Sequence, residues 1–121
     1  MTILTREEVL HIIETAHLEG KMPKFFGADL VETEQRRVQL GRAHLSEADF
    51  HRAKLSGAEL RQADLSNADL SDADLSHTNL KQTQLKQANL TRANFQEARY
   101  DKTTTWPTHL SPVEMGAVCE D

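Results

Sequence analysis

Six histidines, one cysteine and a scatter of serines are the side chains from which this 121-residue chain could build a reactive centre. Two histidines hold a metal from one helix when they lie four residues apart, since i and i+4 share a face. His11 and His17 are six apart and do not meet that spacing. A nucleophilic cysteine needs a base or a positive neighbour to hold it as thiolate. Cys119 is flanked by Val118, Glu120 and Asp121, with no basic or histidine neighbour in sequence. Phosphate cradles need clustered glycines, whereas Gly20, Gly27, Gly41, Gly57 and Gly116 are dispersed. These spacings predict no catalytic residue, no metal ligand set and no cofactor, so the chain is not expected to be an enzyme.

The elements that carry these residues follow from a repeat of five. Counting from Leu40, one slot holds Leu40, Leu45, Phe50, Leu55, Leu60, Leu65, Leu70, Leu75, Leu80, Leu85, Leu90, Phe95 and Tyr100. Two residues before each centre stands Ala in most units, with Val38, Thr78 and Thr83 as the exceptions. The other three positions are mostly polar. On an α-helix, successive centres would step by roughly 140° and make no apolar face. On a continuous strand an odd period would send them to alternate sides.

Within a unit, however, i−2 and i share one side of an extended segment. If the chain turns a corner after each unit in one sense, all of them point inward. Four corners close a coil of twenty residues, and stacked coils pair like parallel strands at about 4.8 Å. No histidine lies twenty residues from another, so stacking brings no two of them together, and His44, His51 and His77 fall on different sides or coils. Ser46, Ser56, Ser66, Ser71 and Ser76 occupy the i+1 position, where a serine is a turn residue.

Units such as Ala63-Asp64-Leu65-Ser66-Asn67 and Ala68-Asp69-Leu70-Ser71-Asp72 resemble the A(D/N)LXX motif of the pentapeptide-repeat family. The resemblance covers about residues 23–102 and implies an all-β solenoid, a right-handed quadrilateral β-helix. The segment Tyr100 to Pro107 followed by Leu110-Ser111-Pro112 is similar to the close of small cyanobacterial members, with Trp106 in place of the usual Phe. Earlier in the chain Ala28-Asp29-Leu30 is a full match and Phe25 falls in register, but Gln35 occupies an apolar slot. Sixteen units from Phe25 to Tyr100 predict four coils, about 19 Å of tube, with the first coil distorted at Gln35.

Open solenoid ends expose core and backbone and require caps. Thr5-Arg6-Glu7-Glu8 reads as a capping box opening a helix over about 6–19, with Val9, Leu10, Ile12, Ile13 and Ala16 as its apolar stripe. The expected organisation is a helical cap over 1–22, the repeat over 23–102 and a capping tail over 103–121. Ser111-Pro112-Val113-Glu114 starts a short helical turn, Trp106 and Leu110 lie over the last coil, and the final residues are expected to fray.

The net charge of −5, from 14 Lys+Arg against 19 Asp+Glu, argues against direct nucleic-acid binding. Apolar runs of two or three residues cannot span a bilayer, and residues 1–19 lack a secretory hydrophobic stretch. A cytoplasmic protein with no membrane contact is expected. One cysteine excludes an internal disulfide framework.

Assigning charges to the four sides makes one acidic and the opposite one basic. The side around Leu30, Phe50, Leu70 and Leu90 carries Asp29, Asp49, Asp69 and Asp72 and a net −3. The side around Leu40, Leu60, Leu80 and Tyr100 carries Arg42, Arg61, Lys81 and Arg99 and a net +3. Asp29, Asp49 and Asp69 are expected to stack as a repelling ladder; either one of these two faces is a docking surface or the charges are those of an ordinary solvated surface. The function expected is a non-catalytic scaffold presenting flat charged faces to a protein partner, as a monomer or an end-to-end dimer. The alternative that the family resemblance implies is a modulator of DNA gyrase or another type II topoisomerase that mimics duplex DNA. That mechanism wants a long negative rod, and four coils match only about six base pairs at 3.4 Å each.

Overall fold

The computed structural model describes residues 4–21, 23–25 and 39–121. The chain opens with α1 (Arg6–Leu18), whose capping box is complete: Glu8 N–H donates to Thr5 Oγ1 and Thr5 N–H to Glu8 Oε1, both at 3.2 Å. Satisfying these donors at the first turn fixes where the helix begins. Val9 and Ile13 point into the same core as Phe25, while Leu18 is almost fully exposed.

From Gln39 onward the chain coils with a twenty-residue period. Parallel bridges link Gln39 to Glu59, Glu59 to Asn79 and Asn79 to Arg99, and likewise His44 to Asp64 and Gln84, Asp49 to Asp69 and Asn89, and Lys54 to Asp74 and Asn94. Four bridge positions per coil, five residues apart, give a β-solenoid with four lines of backbone pairing. From Asp64 on, each i−1 residue donates its N–H to the previous coil and accepts through its carbonyl from a residue there, as when Asp69 N–H reaches Ala48 O and Phe50 N–H reaches Asp69 O.

Every centre from Leu40 to Phe95 is buried, and so are most of the i−2 alanines. Where threonine replaces alanine the hydroxyl must find an acceptor inside the tube. Thr78 Oγ1 donates to Leu75 O and Thr83 Oγ1 to Leu60 O, each at 2.7 Å. Thr104, the equivalent residue beside Trp106, donates to Leu80 O at the same distance.

The corners are made at i+2. Arg42, Glu47, Arg52, Gln62, Asn67, Asp72, His77, Gln82, Gln87, Arg92 and Glu97 all have φ between 58° and 64°. That left-handed conformation is disfavoured for L-residues other than Asn and Asp. It is imposed because the chain must turn after each centre, with the i+3 amide bonding back to the centre's carbonyl, as Ala63 N–H does to Leu60 O at 2.9 Å. Gly57, at φ 76°, makes the equivalent corner with the residue type that suits it best, and Asn67 and Asp72 are the other tolerant types.

Both ends depart from the strict count. Phe25 was expected one coil from Leu45, but Lys24 bridges Asp49 and the Phe25 ring stacks on Phe50 with centroids 4.8 Å apart. The paired residues here are thus twenty-five apart in sequence, five more than the repeat. Pairing two aromatic faces in the tube fixes this register, which the pentad count does not reveal. Ala28, Asp29, Leu30 and Gln35 lie outside the described residues, so the expected distortion at Gln35 does too.

At the other end Gln84 bridges Thr105, twenty-one residues on, so one residue is inserted before Trp106. Trp106 packs edge-on against Phe95 and Tyr100, each with centroids 5.5 Å away. A 3-10 helix at Val113–Met115 follows. The chain then returns as a strand: β1 (Arg99–Tyr100) pairs in parallel with β2 (Val118–Cys119), Arg99 opposite Val118. The final residues were expected to fray. Instead Val118 N–H bonds to Ala98 O at 2.7 Å and Glu120 N–H to Tyr100 O at 2.8 Å, making them one more rung. Ala117 is buried in the small-residue slot and Cys119 follows it in the centre slot. Tyr100 is half-buried, between Trp106 and β2.

Candidate interaction faces

The i−1 carboxylates that make one side acidic are first of all turn residues. Asp49, Asp64, Asp69 and Asp74 each accept the N–H two residues on, at 3.0 Å, and Asn79, Asn89 and Asn94 accept the same bond through their side-chain oxygen. This is why the position takes Asp or Asn: a short acceptor closes the turn. Asp69 also accepts from the Ser71 hydroxyl at 2.6 Å. That bond, ahead of the Ser71 amide and the nearby His51, holds the Asp69 carboxyl below its ordinary value.

The expected ladder of like charges is therefore altered. Asp49 and Asp69 do stack, but the residue bridged to Asp49 on its other side is Lys24 and not Asp29, because of the five-residue slip. Asp29 lies outside the described residues. Asp72 is held by Arg92 of the next coil in a two-pronged contact, Nε to Oδ1 at 2.7 Å and the terminal nitrogen to Oδ2 at 3.0 Å. The Arg92 hydrogen bond lowers the Asp72 carboxyl pKa and raises that of the guanidinium. His51 Nε2 lies 3.7 Å from the second Asp72 oxygen. On the acidic side Asp72 is thus neutralised by Arg92, while Asp49 and Asp69 are held by neutral turn donors.

The basic side is assembled differently. Arg42 Nε donates to Gln62 Oε1 at 2.7 Å, which orients the guanidinium without cancelling its charge. Arg61 is exposed, and its amide donates to Glu59 Oε1, whose other oxygen accepts from Asn79 Nδ2. Arg99 sits between Asn79 and Val118 in the pairing line. Among the described residues Arg42, Arg61 and Arg99 make no ion pair, whereas Lys81 Nζ meets Glu120 Oε1 at 3.0 Å. Glu120 and Asp121 belong to this face and were missed in the sequence reading. The signal for them was Ala117 two residues before Cys119, the small-then-centre spacing of another unit.

Among the described residues no three of His, Cys, Asp and Glu converge as a metal site. Burial, ahead of Asp121, raises the Cys119 thiol above its ordinary value, the opposite of what activates a nucleophile. An open apolar cavity of about 440 Å³ lies between the last coil and the following loop, lined by Leu90, Leu110 and Met115 with Thr91, His109 and Glu114.

The family model described as pentapeptide repeats, in eight copies, matches residues 36–72 and 68–99. Among solved structures, the chain is similar to alr5209, a pentapeptide repeat protein from Nostoc PCC 7120, with 31% identity over 99% of both chains and a TM-score of 0.61. It is also similar to AT2G44920, a pentapeptide repeat protein from the Arabidopsis thaliana thylakoid lumen, with 28% identity over 69% of this chain and 60% of that one, TM-score 0.49. A third is Rfr23, a pentapeptide repeat protein from the cyanobacterium Cyanothece 51142, with 28% identity over 69% and 56% and a TM-score of 0.40. No curated protein matches the sequence. With more than half of its length matched and a solved relative aligned along nearly all of it, the chain belongs to the pentapeptide-repeat family.

Proposed function

We propose that this chain is a non-catalytic interaction scaffold of the cytoplasm: a right-handed quadrilateral β-helix, closed by its helix at one end and its tail at the other, that offers its basic face to a protein partner. The observation that carries this reading is the row of guanidiniums at Arg42, Arg61 and Arg99, which make no ion pair among the described residues on a backbone fixed by successive parallel bridges. A backbone already fixed loses little freedom on binding, which favours recognition. Capture from the source lysate, followed by rebinding of the identified protein in purified form, tests it. A partner held by the wild type and released by Arg61→Glu, Lys81→Glu supports the reading, and one held equally by both removes it.

The duplex-DNA mimic is weakened by the pairing of Asp72 with Arg92, which interrupts a continuous negative surface. Unaltered gyrase supercoiling at micromolar protein would exclude it.

A further inference from the structure

The last rung returns the chain to the basic face. Because Arg99 pairs with Val118 and Tyr100 with Cys119, nineteen residues on, Glu120 and Asp121 fall in the i+1 and i+2 lines occupied earlier by Arg61 and Lys81 and by Arg42 and Lys102. Lys81 Nζ passes the intervening coil to reach Glu120 Oε1 at 3.0 Å. Asp101, in the intervening coil, instead accepts through Oδ1 from Thr103, by its amide at 3.0 Å and its hydroxyl at 2.6 Å, and from the Gln82 amide at 3.3 Å. Asp121 Oδ1 in turn accepts the Lys102 amide at 2.6 Å. The face thus already holds a carboxylate on one of its cations, while Arg42, Arg61 and Arg99 make no ion pair among the described residues.

We propose that the basic face docks an acidic polypeptide segment, and that Glu120 and Asp121 are a built-in competitor which occupies the Lys81 end of that surface in the free chain. This rests on the scaffold reading above and names the partner's chemistry. Glu120 shows the geometry a partner carboxylate would take at Lys81, and displacing it would join Lys81 to Arg61 and Arg99 as one basic strip. An acidic polypeptide is favoured over nucleic acid because the anions already seated on this face are side-chain carboxylates, Glu120 on Lys81 Nζ and Asp121 on the Lys102 amide.

The test titrates a fluorescein-labelled hexaglutamate peptide into the full chain at low salt, read by anisotropy. Exposed ion pairs are weak, so the doubly neutralised variant Glu120→Gln, Asp121→Asn is expected to bind about threefold to fivefold more tightly than wild type. Lys81→Ala in that background should abolish the gain. A variant with the same net charge change on α1, Glu7→Gln, Glu14→Gln, should bind as wild type does. Peptide added to the wild-type chain should also shift the Lys81 and Glu120 amide resonances together, a readout that needs no variant. An equal gain in both neutralised variants, or tighter binding of duplex DNA than of the peptide, would overturn the inference. Equal peptide binding by all variants removes the competitor alone, whereas no peptide binding at all removes the acidic partner and leaves the scaffold reading to the lysate capture.

Discussion

Replacing Leu65 by alanine tests whether the tube interior is a rigid, filled column. Leu65 is fully buried, with Leu45 one coil before it and Leu85 one coil after, both fully buried as well. Its backbone is tied to the following coil by its own amide on Gln84 O at 2.7 Å, so the wall cannot easily fall inward. Large-to-small substitutions cost more where the surroundings cannot collapse, and about 4 kcal/mol is expected here, near the upper part of the range for Leu→Ala. A domain of this size has on the order of 6–18 kcal/mol in total.

The loss should also reach beyond the site, because a solenoid is stabilised by nearest-neighbour interfaces. Weakening a central column leaves two short stacks, each near the limit of independent stability. Urea unfolding followed by circular dichroism should therefore show a lower midpoint with a shallower or two-step transition. Leu110→Ala, at the partly exposed end, should shift the midpoint far less. A loss below about 1 kcal/mol at Leu65 with an unchanged slope would refute the picture of a packed, unyielding interior.

Two further outcomes follow from the turns. The Asp69 carboxyl is held below its ordinary value by Ser71, so its charge contributes stability fully above the unfolded value of about 3.9, and that contribution is lost as pH falls through the folded value. Asp69→Asn keeps an acceptor for the Ser71 amide, so the gap between wild type and variant in urea midpoint should be visible at pH 7 and shrink toward pH 3, and a gap independent of pH would contradict this. At the corners, Gln87→Gly removes the left-handed penalty of a residue at φ 61° while adding unfolded-state entropy. The melting temperature should hold or rise, by up to about 1 kcal/mol of stability, whereas a clear fall would show that the corner conformation is not strained.

Much of the architecture is legible in the chain because the period is short and each position has one physical task. A centre every fifth residue with a small residue two before it fits neither helix nor continuous strand, so only a regularly turning coil buries them all. Asp or Asn before the centre closes the turn, and Thr5 with Glu8 marks the start of α1. All of these are local demands, met within a few residues.

What the tertiary structure decided depends on contacts that a local count does not contain. Arg, Glu, Gln and His give no sign of a left-handed corner; closure of the coil imposes it on whatever residue stands there. Pentad counting places Phe25 a coil away from Leu45, but its ring stacks on Phe50 and Lys24 pairs with Asp49. Whether Asp72 is a free charge depends on Arg92, twenty residues on, and whether Lys81 is free depends on a rung formed only when Val118 pairs with Arg99. Composition places charges on faces, but their pairing is decided by which coil each side chain meets.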